Sequence, residues 1–233
     1  MHLSVIIPTL SRPQTAAFLA ERICRIFPAL EIEVIVVKPA GLPTPADTAT
    51  VRFISDTGRG VYMAYRAGLQ LATGEYCWLM GDDDYPLDGL VQLNGAILAG
   101  QADLIVAPVI FSSGRIYRAT RSRLILHFLN WCQQGVIYRR TLLKRVRFFR
   151  RLSVQADQYV NIMLRADPSV RTIFLSAPIC VFGVGGVSGR SRDTAYASLR
   201  LALARRTLSG GSFLMFRALL LVEPLVKRVV KIR

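Results

Sequence analysis

The sequence has 233 residues and a mass of 25.9 kDa, which favours one α/β domain, alone or with a short appendage, over two full domains. Hydrophobic residues make up 52% of the chain, yet no uncharged apolar run reaches the length of about 18 residues that a membrane-spanning helix requires. The four cysteines are widely separated and indicate neither a disulfide framework nor a zinc site. The formal net charge is +15, and the bases are concentrated at 104–156 and from 194 to the end, so the basic character belongs to two surfaces.

The first part of the chain alternates between β-branched apolar runs and helical patterns, which is typical of parallel strands buried on both faces. The opening run lacks the basic segment and cleavage site of a secretory signal, so it is interpreted as a core strand. The predicted strands lie at 3–10, 32–37, 51–55 and 75–80. The predicted helices lie at 13–27 and 60–72, and a loop rich in Pro and Gly occupies 38–48.

The second part continues the alternation and predicts a mostly parallel α/β sheet flanked by helices, with a basic helical tail. Its elements are a helix at 87–99, a strand at 103–111, a short strand entering a basic helix at 134–146, a helix at 154–166, a strand from 178 that enters a Gly-rich loop, and the tail at 212–233. In the helix at 154–166 the apolar residues share one face, so Asp157 and Asn161 are expected on a more polar face. The tail combines bulky apolar residues with a basic end and is interrupted by Pro224.

Asp82, Asp83 and Asp84 directly follow the fourth predicted strand, at the edge where open α/β sheets bind ligands. Adjacent carboxylates repel one another, and their desolvation is costly unless a cation compensates their charge. Mg²⁺ and Mn²⁺ prefer oxygen ligands and complete their shells with water and substrate phosphates. The triplet is therefore a candidate site for a metal-bound diphosphate. The alternative is a solvated acidic turn that caps the next helix.

Five segments in the same order resemble the family 2 glycosyltransferases of the GT-A fold, in particular the subgroup that builds bacterial surface polysaccharides. They are SVIIPTLSRP, FISDTGRGVYMAYRAGLQLATGEYCWLMGDDDYP, CQQGVIYRR, QADQYVNIMLR and FGVGGVS. The resemblance implies an inverting transferase with a nucleotide-sugar donor and Mn²⁺ or Mg²⁺ as cofactor. It implies that Asp83 binds the metal, with Asp82 and Asp84 beside it, and that Asp157 is the catalytic base.

The same resemblance implies that Pro8, Asp56 and Arg59 line the donor site together with Asp82 and Asp83. The expected chemistry agrees, because displacement at the anomeric carbon requires a carboxylate to take the proton of the acceptor hydroxyl while a metal neutralises the departing diphosphate. For Asp157 the alternative is an acid on a helix surface, and for Arg59 it is an exposed turn residue.

Three residues depart from the family pattern. Lys38 stands where an acidic residue usually recognises the nucleotide base, Gly81 replaces the first Asp or Asn of the Asp-rich motif, and Gln133 replaces a histidine of the subgroup. These departures favour a second hypothesis, a catalytically degenerate homologue that acts as a membrane-bound scaffold or assembly partner. His2 and His127 fall on no family motif, and His127 is interpreted as a helix-face residue and not a ligand.

The basic tail is interleaved with Leu, Val and Phe, which fits an anionic membrane surface better than nucleic acid. The alternative is a core-packing helix with solvated charges. We predict a GT-A domain at 1–193 and a membrane-associating tail at 194–233, in the cytoplasm on the inner face of the plasma membrane, with a glycan or lipid-linked sugar as acceptor. A nucleotidyltransferase is a third hypothesis, but the chain lacks the Gly-rich, Lys-bearing phosphate loop that commonly follows the first strand of such enzymes.

Overall fold

The computed structural model describes residues 1–57, 60–88, 90–146, 152, 154–183 and 194–230, without the side chains of 224–230. The strands within these ranges are β1 (Leu3–Pro8), β2 (Ile32–Pro39), β3 (Val51–Asp56), β4 (Tyr76–Leu79), β5 (Tyr85–Pro86), β6 (Leu104–Val106), β7 (Val109–Phe111), β8 (Ile116–Tyr117), β9 (Val136–Arg139), β10 (Thr172–Phe174) and β11 (Cys180–Phe182). The helices are α1 (Pro13–Ile26), α2 (Val61–Leu71), α3 (Val91–Ala99), α4 (Arg123–Leu126), α5 (Arg140–Val146), α6 (Ala156–Ala166), α7 (Thr194–Thr207) and α8 (Gly210–Val230), with a 3-10 turn at Gln133–Gly135.

Seven of the described strands form the main sheet, in the order β10-β6-β9-β4-β1-β2-β3. The strands β4, β1, β2 and β3 run parallel to one another, and β9 runs antiparallel to both of its neighbours. The carboxyl ends of the four parallel strands therefore meet at one edge of the sheet, which we call the carboxyl edge. The mostly parallel α/β sheet predicted from the sequence is confirmed.

Both faces of the main sheet are covered, because successive side chains of a strand point to opposite faces. In β1, Leu3, Val5 and Ile7 pack in one apolar cluster, to which α1 contributes, while Ile6 packs in the cluster on the other face with α2 and α6. The helix α2 approaches the sheet closely at Gly68, where a Cβ atom would lie 2.4 Å from Cγ2 of Ile6. The continuous apolar runs of the sequence thus become doubly covered strands.

A buried carboxylate ties the amino ends of the parallel strands together. Glu33 on β2 accepts hydrogen bonds from the Ser4 hydroxyl of β1 at 2.6 Å and from the Thr73 amide and hydroxyl at 2.6 and 2.7 Å. Burial raises the pKa of Glu33, but these hydrogen bonds outweigh it and lower the pKa below its usual value. Glu33 is therefore a structural anion at the edge opposite to the carboxyl edge.

A second, four-stranded sheet within the described residues has the order β5-β11-β7-β8. It corrects the single strand predicted at 103–111, because the chain leaves the main sheet after Val106 and β7 begins at Val109 in the second sheet. Pro108 lies at this break and has no amide hydrogen for a ladder. The predicted helix at 87–99 also begins later, at Val91, because β5 takes up Tyr85 and Pro86.

The C-terminal helices α7 and α8 pack on the rest of the fold through a cluster of charged and aromatic side chains. Arg200 on α7 forms an ion pair with Glu223 on α8 at 2.6 Å and donates to the His127 carbonyl at 3.0 Å. The side chain of Phe216 on α8 is fully buried against His127 and Phe128. The helix α8 continues through Pro224, so the interruption predicted there is wrong. Among the described helices, none combines the length and apolarity that a membrane crossing requires.

Candidate active site

The Asp triplet lies in the turn that links β4 of the main sheet to β5 of the second sheet. Asp82 is held by β1 and the segment that follows it: the Thr9 hydroxyl donates to Asp82 Oδ2 at 2.6 Å, and the Arg12 guanidinium donates to both carboxylate oxygens. The hydrogen bond and charge of Asp82 raise the pKa of Arg12 above its usual value. Arg12 therefore neutralises Asp82, and the pair fixes the turn against the end of β1.

Asp84 points inward and serves the backbone of the same turn. Its carboxylate accepts hydrogen bonds from the Gly81 and Gly183 amides, the latter at 3.3 Å, and the side chain is almost fully buried. Burial raises the pKa of Asp84 to about 7. Gly183, the residue after β11, packs directly against the triplet turn. A Cβ atom at this position would lie 2.5 Å from the Asp83 carbonyl oxygen and 2.9 Å from Asp83 Cγ.

Asp83 is the member of the triplet left for a ligand, since its exposed side chain receives no hydrogen bond or ion pair from the residues that the structure describes. Nowhere in the described ranges do three His, Cys, Asp or Glu side chains converge as a cation cage. Mg²⁺ and Mn²⁺ typically take one or two protein carboxylates and complete their shells with water and substrate phosphates. Asp83, with Asp84 beside it, fits a cation held jointly by the protein and a diphosphate.

Asp157 lies in the first turn of α6, and its side chain is buried. The Tyr62 hydroxyl of α2 lies 2.7 Å from Asp157 Oδ1, and the Asn130 amide donates to Oδ2 at 2.6 Å. Burial raises the pKa of Asp157, while the hydrogen bonds from Tyr62, Gln158 and Asn130 act in the opposite direction. A buried carboxylate with a raised pKa is suited to taking a proton near neutral pH.

The triplet and Asp157 approach each other across Tyr65 of α2. The Tyr65 hydroxyl donates to the Met80 carbonyl at 3.2 Å, directly before the triplet turn. Tyr65 packs beside Tyr62, with ring centroids 6.3 Å apart, and the Tyr62 hydroxyl contacts Asp157. Burial raises the pKa of Tyr65, and the charges of Asp84 and Asp157 raise it further. The fold thus brings the acidic turn and a buried carboxylate to either side of the Tyr62–Tyr65 pair, although they are far apart in sequence.

The other predicted donor-site residues lie at the carboxyl edge, as far as they are described. Pro8 ends β1 and pairs with Val37 of β2, while Asp56 ends β3, pairs with Pro39, and is half-buried. Arg59 and most of the segment FGVGGVS lie outside the described residues. Nothing in the structure assigns these residues a ligand, so their roles stay predictions.

The three departures from the family pattern have distinct surroundings. Lys38 at the end of β2 is buried and donates to the Leu42 carbonyl at 2.8 Å, so it organises the following loop. Gly81 donates its amide to Asp84, and a Cβ atom there would lie 2.7 Å from Asp83 Oδ1. Gln133 is buried and donates to the Tyr138 hydroxyl at 3.3 Å. Gly81 therefore allows the compact form of the triplet turn.

Several site residues were not predicted individually from the sequence. Arg12 lies within a segment that carried the family resemblance, but its pairing with Asp82 joins positions far apart in the chain. Tyr62 and Asn130 contact Asp157 across 95 and 27 positions. Their residue types occur at many surface positions, so only the fold identifies them. Asn161 is completely buried, whereas the sequence placed it with Asp157 on a polar helix face.

Comparison with known proteins defines the family. A sequence profile described as Glycosyl transferase family 2 matches residues 4–168, which is more than half of the chain. The chain belongs to glycosyl transferase family 2. The resemblance noted in the sequence is thereby confirmed, and the match includes β1, the triplet turn and Asp157. The enzyme class is accordingly that of a glycosyltransferase.

Mycobacterial relatives of the chain are also glycosyltransferases. The PGL/p-HBAD biosynthesis glycosyltransferases of Mycobacterium tuberculosis and Mycobacterium bovis are 28% identical to this family 2 chain over 226 residues, covering 87% of it and 85% of their own length. Among solved structures, S. aureus TarS superposes with a TM-score of 0.66 at 21% identity over 95% of this chain. The chain spans 43% of that TarS chain. TarS 1–349 in complex with UDP-GlcNAc superposes with a TM-score of 0.68 at 19% identity, which shows the shared fold.

Proposed function

We propose that this family 2 member is an inverting glycosyltransferase that moves a sugar from a nucleotide-diphosphate donor to a glycan or lipid-linked acceptor in bacterial polysaccharide assembly. The observation that carries the proposal is the position of Tyr65, which donates to the Met80 carbonyl directly before the Asp82–Asp84 turn and packs against Tyr62, the partner of buried Asp157. One carboxylate is suited to proton transfer and the turn to a diphosphate. The TarS complex with UDP-GlcNAc supports a nucleotide-sugar donor on this fold.

In this proposal Asp157 takes the proton of the acceptor hydroxyl as that oxygen attacks the anomeric carbon. The sugar–phosphate bond breaks on the opposite face, so the configuration at the anomeric carbon inverts, and the nucleoside diphosphate leaves with the bonding electrons. Asp83 lies on the diphosphate side of the donor, where a bound cation would separate the two negative groups. Arg12 and Thr9 keep Asp82 in place, and Pro8 and Asp56 line the same edge.

Asp83 and Asp84 are the residues proposed to hold Mg²⁺ or Mn²⁺, which when bound supplies positive charge to the leaving diphosphate. Asp83 presents a carboxylate that the described residues leave without a partner, whereas Asp84 also orders the turn through the Gly81 and Gly183 amides. The turn therefore orients its acidic groups before any ligand binds, which reduces the ordering that binding requires.

The proton-transfer role is tested by Asp157→Asn, with Asp88→Asn as the matched control. Asn keeps the shape of the side chain but accepts no proton, so transfer from a panel of nucleotide sugars should fall by about 10²–10⁴-fold. Donor binding, measured by calorimetry with Mn²⁺ and the same nucleotide sugars, should change little. Asp88 is exposed, and its salt bridge among the described residues is with Arg22, so the Asp88→Asn variant should transfer sugar at the wild-type rate. Undiminished transfer by Asp157→Asn would exclude Asp157 as the base.

We further propose that α8 places the enzyme on an anionic membrane surface at the cytoplasmic side. The residues of α8 that face away from Phe216 include Leu214 and Leu221, which are 64% and 82% exposed, and Met215 also lies on this outward side. Arg217 lies at the flank of the same face and is exposed. Apolar side chains that enter the headgroup boundary beside bases that meet lipid phosphates are typical of interfacial helices.

The membrane proposal is tested by co-sedimentation with vesicles of phosphatidylcholine, with and without phosphatidylserine. Leu214→Ser combined with Leu221→Ser should reduce binding to the anionic vesicles, because both side chains would lie in the headgroup boundary. Val91→Ser on α3 changes another exposed apolar residue and should leave binding intact. Equal binding by the double variant would show that this face does not dock on lipid.

A scaffold without catalytic activity is the second candidate, favoured by the ion pair in which Arg12 neutralises Asp82. Lys38, which replaces an acid at the end of β2, adds to this interpretation. Calorimetric titration with UDP and GDP, each with and without Mn²⁺, separates the two functions. An enzyme should show metal-dependent binding that is lost in Asp83→Asn, whereas a scaffold should show none.

A further inference from the structure

A chain of side-chain amides and hydroxyls, all buried except the half-buried Asn130, leads to Asp157. Gln133 donates to the Tyr138 hydroxyl at 3.3 Å, and that hydroxyl donates to Asn161 Oδ1 at 2.7 Å. The Asn161 amide donates to Asn130 Oδ1 at 3.1 Å, and the Asn130 amide donates to Asp157 Oδ2 at 2.6 Å. These side chains come from the 3-10 turn, β9, α6 and the segment after α4, so the fold assembles the chain from four places.

The direction of these hydrogen bonds follows from the charge of Asp157. An ionised carboxylate only accepts hydrogen bonds, so Asn130 must present its amide nitrogen to Asp157 and its oxygen to Asn161. Asn161 must then present its own nitrogen to Asn130 and its oxygen to Tyr138. The Tyr138 hydroxyl is thereby a donor to Asn161 and an acceptor from Gln133. Every link thus points its positive end toward the carboxylate.

Asp157 has no cation to compensate its charge within the described part of the chain. The described titratable groups that its charge affects include Tyr62 and Tyr65 on α2, Tyr138 on β9, Cys132 before the 3-10 turn, and Tyr196 on α7. Burial raises the pKa of each of these groups, so all are neutral near neutral pH. Among the residues that the structure describes, oriented dipoles therefore provide the stabilisation of the anion.

The two oxygens of Asp157 have different partners. Oδ2 accepts from Asn130, whose orientation is fixed by the rest of the chain. Oδ1 faces the Tyr62 hydroxyl at 2.7 Å, and that hydroxyl also lies 2.6 Å from the Val154 carbonyl. A phenol has one hydrogen, so Tyr62 can donate to ionised Asp157, or turn to Val154 and accept from protonated Asp157. Only Oδ1 thus has a partner suited to both protonation states.

We propose that Gln133, Tyr138, Asn161 and Asn130 form a directional hydrogen-bond chain that positions Asp157, keeps it ionised through Oδ2, and leaves Oδ1 to take the proton. This inference rests on the proposed role of Asp157 as base and assigns positioning roles to residues that do not touch the substrate. It also gives a function to Gln133, one of the departures from the family pattern. The Gln133 amide is the first donor of the chain and supplies the hydrogen bond that the Tyr138 hydroxyl accepts.

The test is a titration of Asp157 in the full, ligand-free chain by carbon-13 NMR of its side-chain carboxyl, assigned by loss of the signal in Asp157→Asn. Asn130→Leu should raise the titration midpoint by about one to two pH units, the size expected for a lost hydrogen bond to a charged group. Tyr62→Phe should raise it less, because that change removes a donor from the ionised form and an acceptor from the protonated form. Asn94→Leu on α3 is the control and should leave the midpoint unchanged.

Tyr138→Phe tests the same chain if Asn130→Leu does not fold, since it removes one hydroxyl and should raise the midpoint by a smaller amount. An unchanged midpoint in Asn130→Leu, or in Tyr138→Phe where that is the folded variant, would overturn the chain as a device for ionisation. A shift in Tyr62→Phe as large as that in Asn130→Leu would overturn the assignment of Oδ1. Full sugar transfer by Asp157→Asn would instead overturn the proposed function while the titration results stand.

Discussion

His127 is predicted to make the protein less stable in mild acid, and its surroundings explain why. It caps the carboxyl end of α4 and is buried against Phe216. The Thr207 hydroxyl donates its hydrogen to the Leu203 carbonyl at 2.7 Å, so its oxygen must accept from His127 Nε2 at 3.1 Å. The neutral ring therefore carries its hydrogen on Nε2, and the buried Nδ1 has no hydrogen-bond partner in the described structure.

Protonation of Nδ1 would bury an unpaired donor and a positive charge near Arg200, whose own charge is paired with Glu223. Burial, followed by the charge of Arg200, lowers the pKa of His127 to about 4. Since the unfolded value is about 6.5, the contribution of His127 to stability is present above pH 6.5 and is lost as the pH falls toward 4. Proton linkage then lowers the free energy of unfolding by about 2 kcal/mol between pH 7 and pH 5, and solvent screening reduces this loss to about 1–2 kcal/mol.

The assay is urea unfolding of the full chain at pH 7 and pH 5. His127→Gln keeps a side-chain donor for Thr207 but does not titrate, so its free energy of unfolding should change less between the two pH values than that of the wild type, by about 1–2 kcal/mol. His2→Gln, at the amino end of β1, is the matched control and should behave as the wild type. Equal pH dependence in the wild type and His127→Gln would refute the tautomer and burial argument.

Three further substitutions test other parts of the structure. Glu33→Leu should lower the free energy of unfolding by about 3 kcal/mol in urea at pH 7, because its buried donors lose their acceptor, and unchanged stability would contradict that role. Gly183→Ala should displace Asp83 and weaken the binding of Mn²⁺ with UDP or GDP, measured by calorimetry, about tenfold. Unchanged affinity would show that the turn accommodates the added methyl group without moving Asp83. Arg12→Ala should release Asp82 and strengthen binding of Mn²⁺ alone in the same assay, and weaker binding would mean that Arg12 holds the turn in its binding form.

The sequence predicts the main sheet well because its central strands are defined by composition. Each of β1 and β2 is a nearly continuous apolar run rich in β-branched residues, and such runs are typical of parallel strands that are covered on both faces. The position of the Asp triplet at the carboxyl edge follows from the same pattern. The second sheet is not predictable in this way, because β5 and β8 are two residues long and Pro108 divides a continuous apolar run.

The differences among the three aspartates are likewise invisible in the sequence. The three adjacent aspartates have different surroundings. Arg12 neutralises Asp82, the amides of Gly81 and Gly183 hold Asp84, and Asp83 is exposed without a hydrogen-bond partner among the described residues. The helical spacing correctly places Asp157 beside Asn161 on one face of α6. That the face is buried depends on side chains contributed by α2, β9 and the segment after α4, and helical periodicity carries no information about them.

The turn that carries the triplet spans residues 80–84 between β4 and β5, and each of these strands is hydrogen-bonded into a different sheet. A one-residue insertion or deletion there would have to be absorbed by a register slip in one sheet or a bulge in the other. Changes of length are therefore tolerated better in the irregular segment at 40–47, which precedes the residues whose backbone groups bond to β2 and β3. The linkage between the two sheets therefore fixes the length of the triplet turn, whereas the chain between β2 and β3 can vary in length.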